Sequence, residues 1–314
     1  MENKRPSYGG QAVMDGVMMK GPRGKAIACR KADGSIVYKI AEIKPLAERN
    51  KILGWPIVRG AAALVYALVS GIKDLTWSAA QNDENESDKL TTKDIILAVV
   101  LAIAITAVFF IGGPIFLATL VHSYIGDFGR SLSEGLLRVA LFLGYVLAIR
   151  RIPDIRRLFA YHGAEHKVIN ALEDGAELNP EVVKGYSAIH TRCGTSFILM
   201  LMIIMIVTFT FVGQTTPLLR TAINLAVTPL VAGAAFELYR LPLNHPNNPI
   251  VKLLVAPGLA MQRLTTAEPD EGQIEVAIAA LAQVPYFVED YPEAAEYLAK
   301  ETVDDMLPEA DNLD

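Results

Sequence analysis

The chain has 314 residues, 52% of them apolar, a mean hydropathy of +0.32 and a formal net charge of −5. A mildly acidic chain does not suit nucleic acid, and two cysteines are too few for a disulfide scaffold. The mean hydropathy only modestly exceeds that of a soluble protein, but the excess is gathered into a few long blocks, which is the signature of membrane insertion.

The opening, Tyr8 to Pro22, is glycine-rich, a density that marks tight turns or close backbone approach. Two short runs follow, Ala26 to Arg30 and Ser35 to Ile43, with Asp33-Gly34 between them as a hairpin signal. A small, partly β domain is expected. Up to Gly60 it carries 12 basic and five acidic residues, which suits either the anionic inner leaflet or an ordinary solvated face. The polar start, Met1 to Gly10, lacks the apolar core of a cleaved signal peptide.

The next segment, Ile57 to Leu75, places Ile57, Ala61, Leu64, Leu68, Ile72 and Leu75 at helical spacing. Arg59 and Lys73 leave it short of a span, so it reads as an interfacial or re-entrant helix. A polar linker, Gln81 to Asp94, follows.

The block Ile95 to Val121 runs for 27 residues without a charge. At about 1.5 Å per residue it exceeds a bilayer core of roughly 30 Å. Gly112, Gly113 and Pro114 inside it predict a kinked or broken span. Ser131 to Ile149 is a weaker span carrying Glu134 and Arg138, which can pair along one helical face. Ser196 to Leu219, ended by a turn at Gln214 to Pro217, and Thr221 to Phe236 complete four spans.

The cations set the topology. The first 94 residues hold 15 Lys and Arg, Arg150 to Arg192 hold seven, and the chain from Arg240 onward holds four. The two remaining loops have one each, Arg130 and Arg220. The positive-inside rule then puts both termini and the 150–195 loop in the cytoplasm. Past the last span, Asp270 and Gln273 form a capping box before an Ile274, Ile278, Leu281 face, and Pro292 opens another short helix. From Glu268 to the end there are 14 acidic residues and one basic, a tail that is either solvated or docked on the basic N-terminal part.

The chemistry-bearing words are Tyr161-His162-Gly163-Ala164-Glu165-His166-Lys167 and His190-Thr191-Arg192-Cys193-Gly194. In a helix, His162 and His166 are one turn apart on one face, with Glu165 on that face and Glu173 continuing it. Two imidazoles so spaced can share a metal ion, and Glu165 can act as general base on its water. His-x-x-Glu-His is also the inverted zinc-peptidase pattern. His190, Cys193 and Glu173 are the further candidate ligands. Three ligands would make a catalytic site and four a closed structural one. Zinc is favoured, with iron or manganese as alternatives. Glu237, at the end of the last span, pairs with Arg240 or serves function. His245 reads as a loop residue, and His122 belongs to the far side of the membrane. Asp15 suits either a turn or a place near the metal.

The Gly9 to Pro22 word, the Tyr161 to Lys167 word, His190 to Phe197 and Pro257 to Thr266 together resemble the YqhQ-like family. The resemblance covers nearly the whole chain and implies a bacterial membrane protein built on a domain of unknown function. Its label as a metal-dependent enzyme implies an ion at His162, His166 and perhaps His190. This chain has Asp15 where the family often has Glu.

The expectation is therefore a mainly α, polytopic protein with about four transmembrane helices, one interfacial or re-entrant helix and a small cytoplasmic α+β part. Its segments are 1–55, glycine-rich and partly β; 56–80, the interfacial or re-entrant helix; 81–94, the linker; 95–149, two spans; 150–195, the metal-motif loop; 196–240, two spans; and 241–314, a helical acidic tail. It would sit in the cell membrane as a metal-dependent hydrolase at the cytoplasmic face, with a transporter or channel and a scaffold as alternatives. Membrane lipids and further copies of the chain are the partners this allows.

Overall fold

The computed structural model describes residues 6–44, 50–81, 92–120, 122–210, 216–245 and 247–294. The N-terminal part is an antiparallel meander of four strands, β1 (Gly9–Val13), β2 (Gly16–Lys20), β3 (Gly24–Arg30) and β4 (Ile36–Glu42), in that spatial order. The β3–β4 hairpin falls where Asp33-Gly34 predicts it. The Asp33 carboxylate accepts from the Ser35 amide at 2.9 Å, and Gly34 supplies a φ of +88°. The glycine-rich opening forms the β1–β2 hairpin, which residue patterning does not announce. Asp15 takes its turn with φ +52° and pairs with Arg157 at 2.7 Å, so its carboxylate is engaged there.

Helix α1 (Val58–Ala79) is continuous. At its start, Gly60 packs so closely on Gly233 and Phe236 that a Cβ would clash. Arg59 there holds Glu237 by two hydrogen bonds, 2.7 and 2.5 Å. This corrects the expected Arg240 partner: Arg240 instead lies over the Phe236 ring. Toward its end, α1 meets the sheet, where buried Asp74 receives Lys25 Nζ at 2.6 Å and Ser78 accepts the Met14 amide.

Helices α2 (Thr92–Ala107) and α3 (Gly113–Leu120) are joined by a π-helical turn, Val108–Gly112. The expected break is thus a bulge within a continuous run. Pro114 has no amide, so the Phe110 carbonyl loses its usual donor, and Arg138 Nε supplies one at 2.8 Å. Arg138 sits on α4 (His122–Ile149), kinked at Gly126, and pairs with Glu134 at 3.0 Å. Side chains of α2 are exposed on every side, Ile96, Leu97, Val100, Leu101, Ile103 and Ile105 among them, as in a lipid-facing helix.

The remaining long helices are α5 (Pro153–Asp174), α6 (Gly194–Thr210), α7 (Pro217–Tyr239), α8 (Pro249–Thr265) and α9 (Glu271–Ala282). Three runs are long and apolar enough to cross a membrane: Ile96–Leu120, Phe128–Ile149 and Ala222–Tyr239. The fourth expected span is represented by the shorter apolar run Gly194–Thr208 in α6. Of its expected terminating turn, Gln214 and Thr215 lie outside the described residues, while Thr216 caps α7 and Pro217 opens it. Helix α9 begins with the expected capping box, Asp270 and Gln273 bonding each other reciprocally. It packs on β2, β3 and α5, so Val17, Met19 and Ala28 share a core with Ile274, Ile278, Leu281 and Val168. The part of the acidic C-terminal stretch that is described docks on the sheet, through Arg30–Glu275, Arg23–Asp290 and Tyr8–Asp290. The expected helix at Pro292 falls mostly beyond the described residues.

Candidate metal centre

Helix α5 carries His162, Glu165 and His166 on its buried side. It starts at Pro153 and stops at Gly175, whose φ of +73° gives the left-handed cap. Gly163 lets another segment press against it: a Cβ there would lie 2.2 Å from the Ala267 carbonyl oxygen. That segment is the end of α8. Its Thr265 carbonyl accepts from His162 Nδ1 at 2.8 Å. On the other side, the Ala188 carbonyl accepts from His166 Nδ1 at 2.7 Å.

These two contacts fix the protons. A carbonyl only accepts, so each Nδ1 carries a hydrogen, and in a neutral ring of that tautomer Nε2 is the lone-pair atom. His162 Nε2 stands 3.2 Å from Cys193 Sγ, and His166 Nε2 stands 3.4 Å from Glu165 Oε2. The His162 and His166 rings are 4.4 Å apart between centroids. Ligand atoms of His162, His166 and Cys193 all lie within 4.8 Å of one another. Glu165, His166 and Cys193 are buried. A thiol, a carboxylate and two ring nitrogens therefore converge in a small, mostly buried space. A cation would suit such a donor set. Nitrogen and sulfur donors with carbonyl-anchored Nδ1 atoms are of the kind that would hold zinc.

His190 and Glu173 do not join this set. They pair with each other, Nε2 to Oε2 at 3.3 Å, and Arg192 grips the same carboxylate. Burial works to raise the Glu173 pKa, but the His190 hydrogen bond and the Arg192 charge outweigh it and hold the carboxyl below its usual value. His190 remains beside the cluster, 5.9 Å from His166 between ring centroids. His245 stands in the turn after α7, and the side chain of His122 is outside the description.

Patterning does not pick out three supporting residues. Fully buried Gln262 accepts from the His190 amide at 2.9 Å and donates to its carbonyl at 2.7 Å and to Ser196 at 2.7 Å. Thr195 contacts Cys193 Sγ at 3.0 Å, and Thr265 reaches Thr195 at 3.3 Å. The only signal for Gln262 and Thr265 in the sequence is that they lie in the Pro257 to Thr266 word.

A sequence profile described as Protein of unknown function (DUF1385) matches residues 55–286. The chain is 36% identical over 287 residues to the Uncharacterized protein YqhQ of Bacillus subtilis (strain 168), covering 87% of this chain and 90% of the relative. No solved structure matches it.

Proposed function

The chain belongs to that family of proteins of unknown function (DUF1385), and from this premise we propose that it is a metal-dependent hydrolase working at the cytoplasmic face of a cell membrane. The observation that carries the reading is that ligand atoms of His162, His166 and Cys193 lie within 4.8 Å of one another, beside Glu165. His162, His166 and Cys193 would hold the ion, zinc by the donor set, with iron or manganese as the alternatives. Such an ion supplies Lewis acidity and a water acidified toward neutral pH. Glu165 would take the proton of the attacking water, and the Thr265 and Ala188 carbonyls keep both rings oriented.

The membrane placement that goes with this reading would have four crossings: the three membrane-length runs Ile96–Leu120, Phe128–Ile149 and Ala222–Tyr239, and the shorter apolar α6. The cation distribution then favours cytoplasmic termini. Helix α1 suits the interface. Its first turn touches the Phe236 end of α7 and its last turns touch the sheet, while Val65, Leu68, Val69 and Ile72 face outward.

The test is metal content of the purified protein by mass spectrometry. The reading expects bound metal in the wild type, none in the His162→Ala/His166→Ala double variant, and retained metal in Glu165→Gln. Wild type without metal after reconstitution with zinc, iron and manganese sinks it. A transporter is the second reading. It is favoured by a cavity of about 570 Å³ among the apolar helices, lined by Arg138 and by Asn224, whose buried Oδ1 has no hydrogen-bond partner among the described residues. Solute flux in liposomes tests it.

A further inference from the structure

A second cavity, of about 380 Å³, lies between the sheet, α1 and the metal centre. Its inner wall is shared with that centre. Gly10 lines it, and a Cβ on Gly10 would sit 3.0 Å from Glu165 Cγ. Arg192, next to Cys193, and Tyr239, within electrostatic reach of Cys193 and Glu165, line it as well.

The cavity is cationic for a structural reason. Lys20 and Lys25 are directly opposed in the β2–β3 register, an arrangement of like charges that destabilises a sheet. Lys25 is neutralised by Asp74 at 2.6 Å. Lys20 has no carboxylate partner among the described residues, and its ammonium rests over the Tyr66 ring at 5.1 Å. Desolvation by the surrounding protein, and then the Lys25 charge, press its pKa below the usual lysine value. An anion is the missing partner. The outer wall has a different chemistry: Tyr66 and Ala67 of α1 line the cavity, while the neighbouring Val65, Leu68 and Val69 are exposed and apolar.

We propose that this cavity binds the phosphate group of a membrane amphiphile, with the phosphate against Lys20, beside the Arg192 guanidinium that also holds Glu173, and the apolar part along Tyr66 and Ala67. As the substrate class of the neighbouring centre, this rests on the hydrolase reading; as a binding site it does not.

Calorimetry on the detergent-purified full chain tests it with three probes: dihexanoyl phosphatidic acid, dihexanoylglycerol and inorganic phosphate. The phosphatidic acid should bind at least about tenfold more tightly than the phosphate-free glyceride, as loss of a charge-assisted contact implies. Lys20→Gln should weaken it by about tenfold and Lys20→Arg by less than about threefold, since the charge survives in the latter. Equal binding of phosphatidic acid and glyceride, or indifference to Lys20→Gln, overturns the site. Inorganic phosphate binding as tightly as phosphatidic acid overturns the amphiphile. The His162→Ala/His166→Ala variant should keep the binding, so an empty metal centre and an empty cavity are separate failures.

Discussion

Gln262 closes two opposed hydrogen bonds on the single residue His190, one to its amide and one to its carbonyl. The Gln262 side chain is fully buried, so it fastens the loop bearing Cys193 to α8 with no water to replace it. Gln262→Leu keeps the bulk and orphans both backbone groups. At about 1–3 kcal/mol for each, the loss should be roughly 2–6 kcal/mol. A lower thermal-unfolding midpoint together with weaker metal retention is the expected result.

Arg138 should be irreplaceable by simple truncation. Arg138→Met removes the 3.0 Å contact to Glu134 and takes the guanidinium donor from the Phe110 carbonyl inside an apolar layer. Leaving a buried carbonyl without that donor costs about 1–3 kcal/mol. Adding Pro114→Ala restores an amide to Phe110. The Arg138→Met/Pro114→Ala double variant should therefore recover part of the thermal stability that the single variant loses. Arg138→Lys should recover little, because an ammonium cannot span both acceptors as the guanidinium does.

Cys29 predicts an alkaline weakness. Burial first, and then the Asp15 charge, push its thiol from 9.0 to about 12. Between those values the unfolded chain releases a proton that the folded chain keeps, so stability falls as pH rises. The slope attributable to this group is about 1.4 kcal/mol per pH unit. Denaturation of wild type and Cys29→Ala from pH 8 to 11 should show the steeper decline in wild type. At pH 8 the native thiol should resist iodoacetamide.

Glu173 separates pairing from ligation. Its carboxylate is held by His190 and Arg192, so Glu173→Gln should leave metal stoichiometry unchanged. Cys193→Ala should reduce it. Loss of metal in Glu173→Gln would instead make Glu173 part of the ligand set.

Much of the candidate site was legible because helical spacing is a local property. His162, Glu165 and His166 share a side of α5 as their numbering requires, and Asp270 caps α9 as its sequence requires. The β1–β2 hairpin was not legible. A glycine-rich run lacks apolar alternation, and its strands are identified by what packs on them: α5 against β1 and α9 against β2. The partner of Glu237 was misread for a related reason. Arg240 is near in sequence, but the close contact of Gly60 with Gly233 brings Arg59 to the carboxylate across 178 positions.

The sequence by itself determined that this chain has membrane-length apolar runs, a β3–β4 hairpin and two histidines one helical turn apart. Each follows from residue patterns over a few turns. Only the tertiary structure decided that Cys193 joins those histidines while His190 turns to Glu173, that Thr265 and Ala188 fix the ring tautomers, and that the first and last segments share one core. Such choices depend on which distant surfaces can approach, and Gly163 against Ala267 and Gly10 beside Glu165 are where missing side chains permit it.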